Sequence, residues 1–288
     1  MKSRGALAGA TAAALVAFAA NSWLCRAALR SGAIDPASFT AIRLAAGAAV
    51  LVLVARGFSG GRRPAGGSLH SAVALFAYAI AFSLAYLELD AGVGALVLFG
   101  AVQVTMVSGG LLSGRRPTAA ELAGIVLALA GLALLALPGR AAPPLAAASG
   151  MAAAGVAWGL YSLRGRRESA PPLAANAGNF LRAVPLAAAA LVIAALRAPL
   201  HASGPGILLA LVSGAVTSGL GYAIWYAALP KLSAATAGLV QLAVPVVAAA
   251  GGVLLFGERV TARLLLAGAL VLSGIALALF WRRRSAPR

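Results

Sequence analysis

Stretches of roughly 20 apolar residues, enough at 1.5 Å per residue to cross ~30 Å of hydrocarbon, recur from one end of this 288-residue chain to the other. Punctuated by Arg, Pro and Gly, they fall near 6–25, 36–55, 71–87, 91–112 and 119–138, then near 145–163, 173–196, 205–228, 234–256 and 264–281. In lipid each backbone N–H and C=O must be satisfied inside its own segment, so every run predicts a helix. The chain is 62% hydrophobic and 10% charged, which leaves too little polar surface to cover a water-soluble body of this size. These features define an all-α polytopic membrane protein with ten transmembrane helices. Lys2 and Arg4 ahead of an Ala-rich run resemble a secretory signal sequence. With nine spans still to follow, a retained first helix is the simpler reading.

The formal charge of +17 raises the question of nucleic acid. The basic residues form no continuous stripe; they sit in short segments between apolar runs, which excludes a phosphate-tracking surface and makes the charge a topology signal. Placing the N-terminus in the cytoplasm puts 15 of the 23 Lys and Arg in inner segments, among them Arg62, Arg63, Arg115, Arg116, Arg166 and Arg167, and six in outer ones. The positive-inside rule then holds both termini in the cytoplasm. Asp35, Glu88, Asp90 and Glu258 fall outside, Glu121 and Glu168 inside. The single cysteine, Cys25, has no internal disulfide partner, and His70 and His201 stand alone, so neither a disulfide, a metal site nor a cofactor is expected.

Half the chain repeats the other half. Residues 111–119 align with 254–262 at an offset of 143, and Gly131-Leu132-Ala133-Leu134 aligns with Gly274-Ile275-Ala276-Leu277 at the same offset. Tyr78-Ala79-Ile80 matches Tyr222-Ala223-Ile224 one residue further out. The expected units are residues 1–140 and 141–288, five spans each. Five is odd, so the second unit lies upside down relative to the first, an arrangement characteristic of secondary transporters. The doubly basic turn Gly114-Arg115-Arg116 and its mixed counterpart Gly257-Glu258-Arg259 fit opposite sides of the membrane.

Several local patterns add to this: Arg43 early in the second span, Trp158-Gly159 in the sixth, and Gln241-Leu242-Ala243-Val244-Pro245 followed by Leu255-Phe256-Gly257-Glu258-Arg259. Together with the repeat they resemble the drug/metabolite transporter superfamily, specifically its EamA-like members. The resemblance covers nearly the whole chain and implies ten helices in two inverted five-helix halves, moving metabolites such as amino acids, nucleobase-like compounds or sugars, commonly outward. The first half departs from the pattern, with Arg115 where the family often has Glu and Val102 at the place corresponding to Pro245.

Candidate binding residues follow from cost. A charge at membrane depth costs roughly 3 kcal/mol even on insertion scales, which makes an intramembrane ionisable residue a functional candidate. Arg43 and Arg182 qualify, related approximately by the repeat, each with a planar fork suited to carboxylate or phosphate. The alternative for each is snorkelling to headgroups or capping a neighbouring helix's carbonyls. Tyr78 and Phe82, with Tyr86, share one face of the third span; Tyr222, Trp225 and Tyr226 share one of the eighth; Trp23, Trp158 and Tyr161 extend the aromatic set. They are walls for an amphipathic solute, or else an interfacial belt or helix packing. Asn21, Gln103, Asn179 and Gln241 are amides inside spans, which must face another helix, water or a substrate. Pro185 and Pro245 remove backbone donors and are expected to kink their helices.

No carboxylate or histidine falls at membrane depth, so facilitated diffusion or exchange is expected over proton antiport. No catalytic constellation or Walker A motif is present, so an enzyme is not expected. The competing class is a lipid flippase or a non-transporting membrane scaffold. Arg over Lys and heavy Ala use point to a bacterial inner membrane; the expected partners are a small-molecule solute and the bilayer, no nucleic acid, with a homodimer left open.

Overall fold

The computed structural model describes residues 4–58, 66–112, 118–137, 142–165, 168–228, 231–232 and 240–284. Lys2, Arg62, Arg63, Arg115, Arg116, Arg140, Arg166, Arg167 and Arg288, all used in the topology argument, lie outside them. Ten helices are present among the described residues: α1 Arg4–Arg30, α2 Pro36–Phe58, α3 Leu69–Ala85, α4 Ala91–Leu112, α5 Ala119–Ala136, α6 Leu145–Gly165, α7 Pro172–Ala195, α8 Gly204–Ala228, α9 Ala243–Phe256 and α10 Ala262–Arg284. The one extended pairing among them is the isolated bridge between Ile34 and Ala202. Four helices, α1, α2, α7 and α8, are long and apolar enough to cross a membrane by themselves, and five more have shorter apolar cores. The protein is an all-helical multi-pass membrane protein.

The boundaries have local causes. Pro36 and Pro172 open α2 and α7, where a missing N–H costs no intrahelical bond. Ser68 and Ser203 cap α3 and α8, and Thr118 with Glu121 forms a reciprocal capping box on α5. Gly257, at φ 64°, closes α9 in the left-handed region. Two boundaries differ from expectation. The first helix runs on past residue 25 to Arg30, because no Gly or Pro interrupts it before Gly32 and Arg26 finds partners within the protein. The ninth run is expected from residue 234; residues 233–239 lie outside the described residues, Val240 and Gln241 are helical, and the helix is interrupted at Leu242 and resumes at Ala243, so the break falls in the turn preceding Pro245, where its missing N–H and its ring act.

α2 packs on α7 and α8, α6 on α3 and α4, α1 on α8 and α9, α4 on α9, and α5 on α10. The last contact is set by two glycines. A Cβ at Gly131 would stand 2.8 Å from the Ala267 carbonyl oxygen and 3.1 Å from Leu270 Cβ; one at Gly274 would stand 2.5 Å from the Gly124 oxygen and 2.9 Å from Leu127 Cβ. Gly131 and Gly274, Gly124 and Ala267, and Leu127 and Leu270 are all separated by the repeat offset of 143. The contact is therefore reciprocal. Early α5 meets late α10 and late α5 meets early α10, so the two helices are antiparallel.

Gly274→Leu and Gly131→Leu should each overpack this seam, costing roughly 1–3 kcal/mol and lowering the thermal midpoint in detergent by similar amounts. Gly150→Ala, where a Cβ would meet open space, should leave the midpoint unchanged or raise it. Unequal responses of the two seam glycines would argue against a reciprocal contact.

Candidate functional site

Arg43 is the largest fully buried side chain, 2% exposed in the interior of α2. Its Nε donates to Ser218 Oγ at 3.3 Å and its Nη2 to Tyr78 OH at 3.0 Å. The guanidinium carbon stands 5.1 Å from the Phe82 ring centre and 5.3 Å from that of Tyr78, within cation–π range of both. Nη1 is buried with no hydrogen-bond partner.

The local fold of α8 makes this possible. Residues Ser213–Leu220 form two turns of π-helix, a wide form that recurs at functional sites. A Cβ at Gly214 would collide with the Arg43 carbonyl oxygen, so only glycine lets α8 lie against α2 here. The widened turns bring three hydroxyls inward. Ser213 and Thr217 donate to Asn21 Oδ1 at 2.9 and 2.6 Å, and Ser218 receives Arg43. α1, α2, α3 and α8 are thereby tied through one polar chain at the centre of the bundle.

An aromatic chain continues from Tyr78. Its ring lies 4.8 Å from Trp158, which stacks on Tyr222 at 5.4 Å and 17° and on Tyr161 at 5.3 Å and 27°. Phe180 and Phe18 meet Tyr222 edge-on or tilted at 5.9 and 5.6 Å. Beyond Tyr161 come two amides: its hydroxyl donates to Asn176 Oδ1 and receives Asn179 Nδ2 at 3.3 Å, while Asn179 Oδ1 accepts from Ser68 N at 2.8 Å. Asn176 is buried, and its side chain also pairs with the Tyr226 hydroxyl.

Arg43, Tyr78, Phe82, Trp158, Tyr161, Tyr222, Asn21 and Asn179, expected from sequence, thus fall in one connected cluster. Trp225 and Tyr226 lie beside it, Trp225 reaching it through Phe18 at 5.8 Å. Trp23 turns away, donating to the Ala248 carbonyl at 2.9 Å and covering Gly251. Arg182 stands apart: it is exposed, its Nη1 donating at 2.9 Å each to the carbonyls of Gly66, in the α2–α3 connection, and of Gly178, one turn back in its own helix. Gln103 and Gln241 are half-buried on α4 and just before α9, and Pro185 lies exposed within α7. Sequence reasoning missed Ser213, Thr217, Ser218, Asn176, Phe180 and Phe18. Asn176 had a legible signal, one helical turn before Asn179; the hydroxyls did not, because nothing in residues 213–220 announces a π-helix.

A second polar group closes one end of the bundle. Glu258, between α9 and α10, accepts from Ala91 N at 2.9 and 3.0 Å and from Arg26 Nε at 3.1 Å; Arg26 also reaches Asp90 at 3.3 Å, and Asp90 takes Arg30 at 3.0 Å. The α4 N-terminus, the end of α1 and the α9–α10 turn are joined at this point. The Glu258 and Arg26 side chains are 8% and 10% exposed. Burial, with a smaller push from Asp90, raises the Glu258 carboxyl above the ordinary value of 4.5 against the opposing pull of the Ala91 N–H and Arg26.

Residues 145–280 match the EamA-like transporter family. The uncharacterized protein PA1977 of Pseudomonas aeruginosa is 53% identical over 278 residues, covering 96% of each chain. A crystal structure of another protein superposes with a TM-score of 0.66 at 23% identity, over 96% of this chain and 99% of that one, a likeness of fold.

Because folded Glu258 holds its proton more tightly than the unfolded chain does, the stability linked to that proton is full below pH 4.5 and is lost as pH rises through the raised folded value. The thermal midpoint of the wild type should therefore fall relative to Glu258→Gln as pH climbs from 4.5 toward neutrality. A constant difference between the two across that window would contradict the assignment.

Proposed function

Since the chain belongs to the EamA-like transporter family, within the drug/metabolite transporter superfamily, we propose that it is a secondary carrier for a small organic metabolite, an amino acid, nucleobase-like compound or similar amphipathic solute. It works as an exporter or facilitator, and two inverted five-helix halves, 1–140 and 141–288, alternate access to the central cluster. The observation that carries this reading is the site itself: a buried arginine and stacked aromatics contributed by α1, α2 and α3 of one half and α6, α7 and α8 of the other. A solute held there touches both halves, so their relative movement exposes it to one side and then the other.

The reciprocal α5–α10 seam supports inversion, because the two helices, equivalent by the repeat, run antiparallel. Packing elsewhere follows the same exchange: α6 on α3 and α4 mirrors α1 on α8 and α9. Ten transmembrane helices, both termini in the cytoplasm and a bacterial inner membrane complete the proposal; in that orientation the Arg26–Glu258–Asp90 group closes the outer face. Solute binding rests on Asn21, Arg43, Tyr78, Phe82, Trp158, Tyr161, Asn179 and Tyr222. All six carboxylates lie at helix ends or in connections, which favours facilitated diffusion or exchange over proton coupling.

Liposomes holding purified protein and loaded with amino acids, nucleobases, sugars and phosphorylated metabolites test the proposal. One solute class should leave selectively, equally with and without a pH gradient, and Arg43→Ala should stop it. Release no faster than from empty liposomes by folded protein would instead favour a lipid-handling or scaffold role.

A further inference from the structure

Resting on that reading, we propose that the solute carried is a planar organic anion, and that its anionic group is the missing counterion of Arg43. An arginine stays protonated in any protein environment. At 2% exposure, a buried cation is tolerated when paired or strongly solvated. Every partner of Arg43 is neutral: two hydroxyls and two ring faces.

None of the chain's carboxylates supplies the opposite charge. Asp35 holds Ser38 N and His201 N, Asp90 and Glu258 hold Arg26, Glu121 caps α5, Glu168 meets Ala170 N, and Glu88 lies exposed after α3. Arg43 therefore carries a full positive charge and a vacant donor, Nη1, among neutral groups.

The same arrangement argues against the other charge types. Stacked aromatic rings can hold an ammonium group, but the faces of Tyr78 and Phe82 nearest the centre are already taken by the guanidinium, which repels a second cation. A zwitterion would bring its ammonium into a site without a carboxylate to receive it. A monoanion satisfies Nη1 by a charge-assisted bond, and a planar body matches the aromatic surroundings of that donor, where Tyr78, Trp158 and Tyr222 follow one another at 4.8 and 5.4 Å.

Benzenesulfonate, benzyltrimethylammonium and phenylalanine share one ring, differ in charge, and do not cross bilayers as neutral species. Their flux into proteoliposomes and their effect on the thermal midpoint in detergent are measured on the wild type, Arg43→Gln and Arg43→Lys. Benzenesulfonate should enter saturably, at least about tenfold faster than the other two, as expected for a charge-assisted contact. It alone should raise the midpoint; Arg43→Gln should abolish both effects, and Arg43→Lys should keep the preference with weaker binding. Should Arg43→Gln not yield monodisperse protein, competition among the three compounds on the wild type decides. Faster entry of benzyltrimethylammonium or phenylalanine would overturn the anion assignment and leave the carrier reading standing. An Arg43-dependent midpoint shift by benzenesulfonate without flux would uphold the anion site and overturn transport. No shift and no flux from any of the three would overturn the anion assignment.

Discussion

A guanidinium buried at the centre of a helical bundle, with no carboxylate beside it, is the constraint around which the rest of this structure is arranged. Arg43 cannot lose its charge, and at that depth it cannot reach headgroups, so the protein must solvate it from within. It does so with a hydroxyl from α3, a hydroxyl from α8 and two ring faces. Each has its own structural cost. The hydroxyl on α8 needs a π-helical stretch; that stretch needs Gly214 against the Arg43 backbone; and its inward hydroxyls Ser213 and Thr217 need an acceptor, which Asn21 provides. Removing the arginine would leave a set of inward polar groups with no charge to serve.

The seam and the ends of the bundle use different physics. Where α5 meets α10 there is no hydrophobic driving force beyond what lipid already offers, so association depends on close backbone approach and van der Waals contact between small residues. At the closed end, Arg26, Glu258, Asp90 and the Ala91 N–H form a directional group. It is strong while its geometry holds and weak once separated. At the opposite end, Ser68 N meets Asn179 and the Gly66 carbonyl meets Arg182, tying the α2–α3 connection to α7 by backbone groups. The bundle is thus fastened by an apolar, closely packed seam and by short polar contacts at its ends.

Most of the fold was legible because the bilayer reduces the problem to counting. Eight of the ten helices begin and end within three residues of the apolar runs. The exceptions were local. Arg26 reads as the end of a span when taken as a lone charge, yet it continues α1 because Glu258, 232 residues away, receives it. The central cluster was legible through residue types that are costly in lipid, which is why Arg43, Asn21 and Asn179 stood out. Arg182 stood out by the same rule but lies exposed on backbone carbonyls. Helical periodicity cannot say which side of a helix faces protein when nearly every residue on it is apolar. Serines and threonines went unnoticed because in a lipid-embedded helix they usually bond back to the preceding turn, as Thr105 and Ser162 do here.

Charge in this protein is divided by position into a fixed part and a titratable part. The central cluster holds a cation that no accessible pH removes. The group whose proton affinity burial has raised, Glu258, sits at the end of the bundle, where it joins the α9–α10 turn to the start of α4. Because the buried arrangement holds the proton more tightly than a solvated one would, protonating Glu258 favours the joined end, without touching the central cluster. Acid should therefore act on the closure of that end, and hence on how often the site opens there, while leaving unchanged what the site selects.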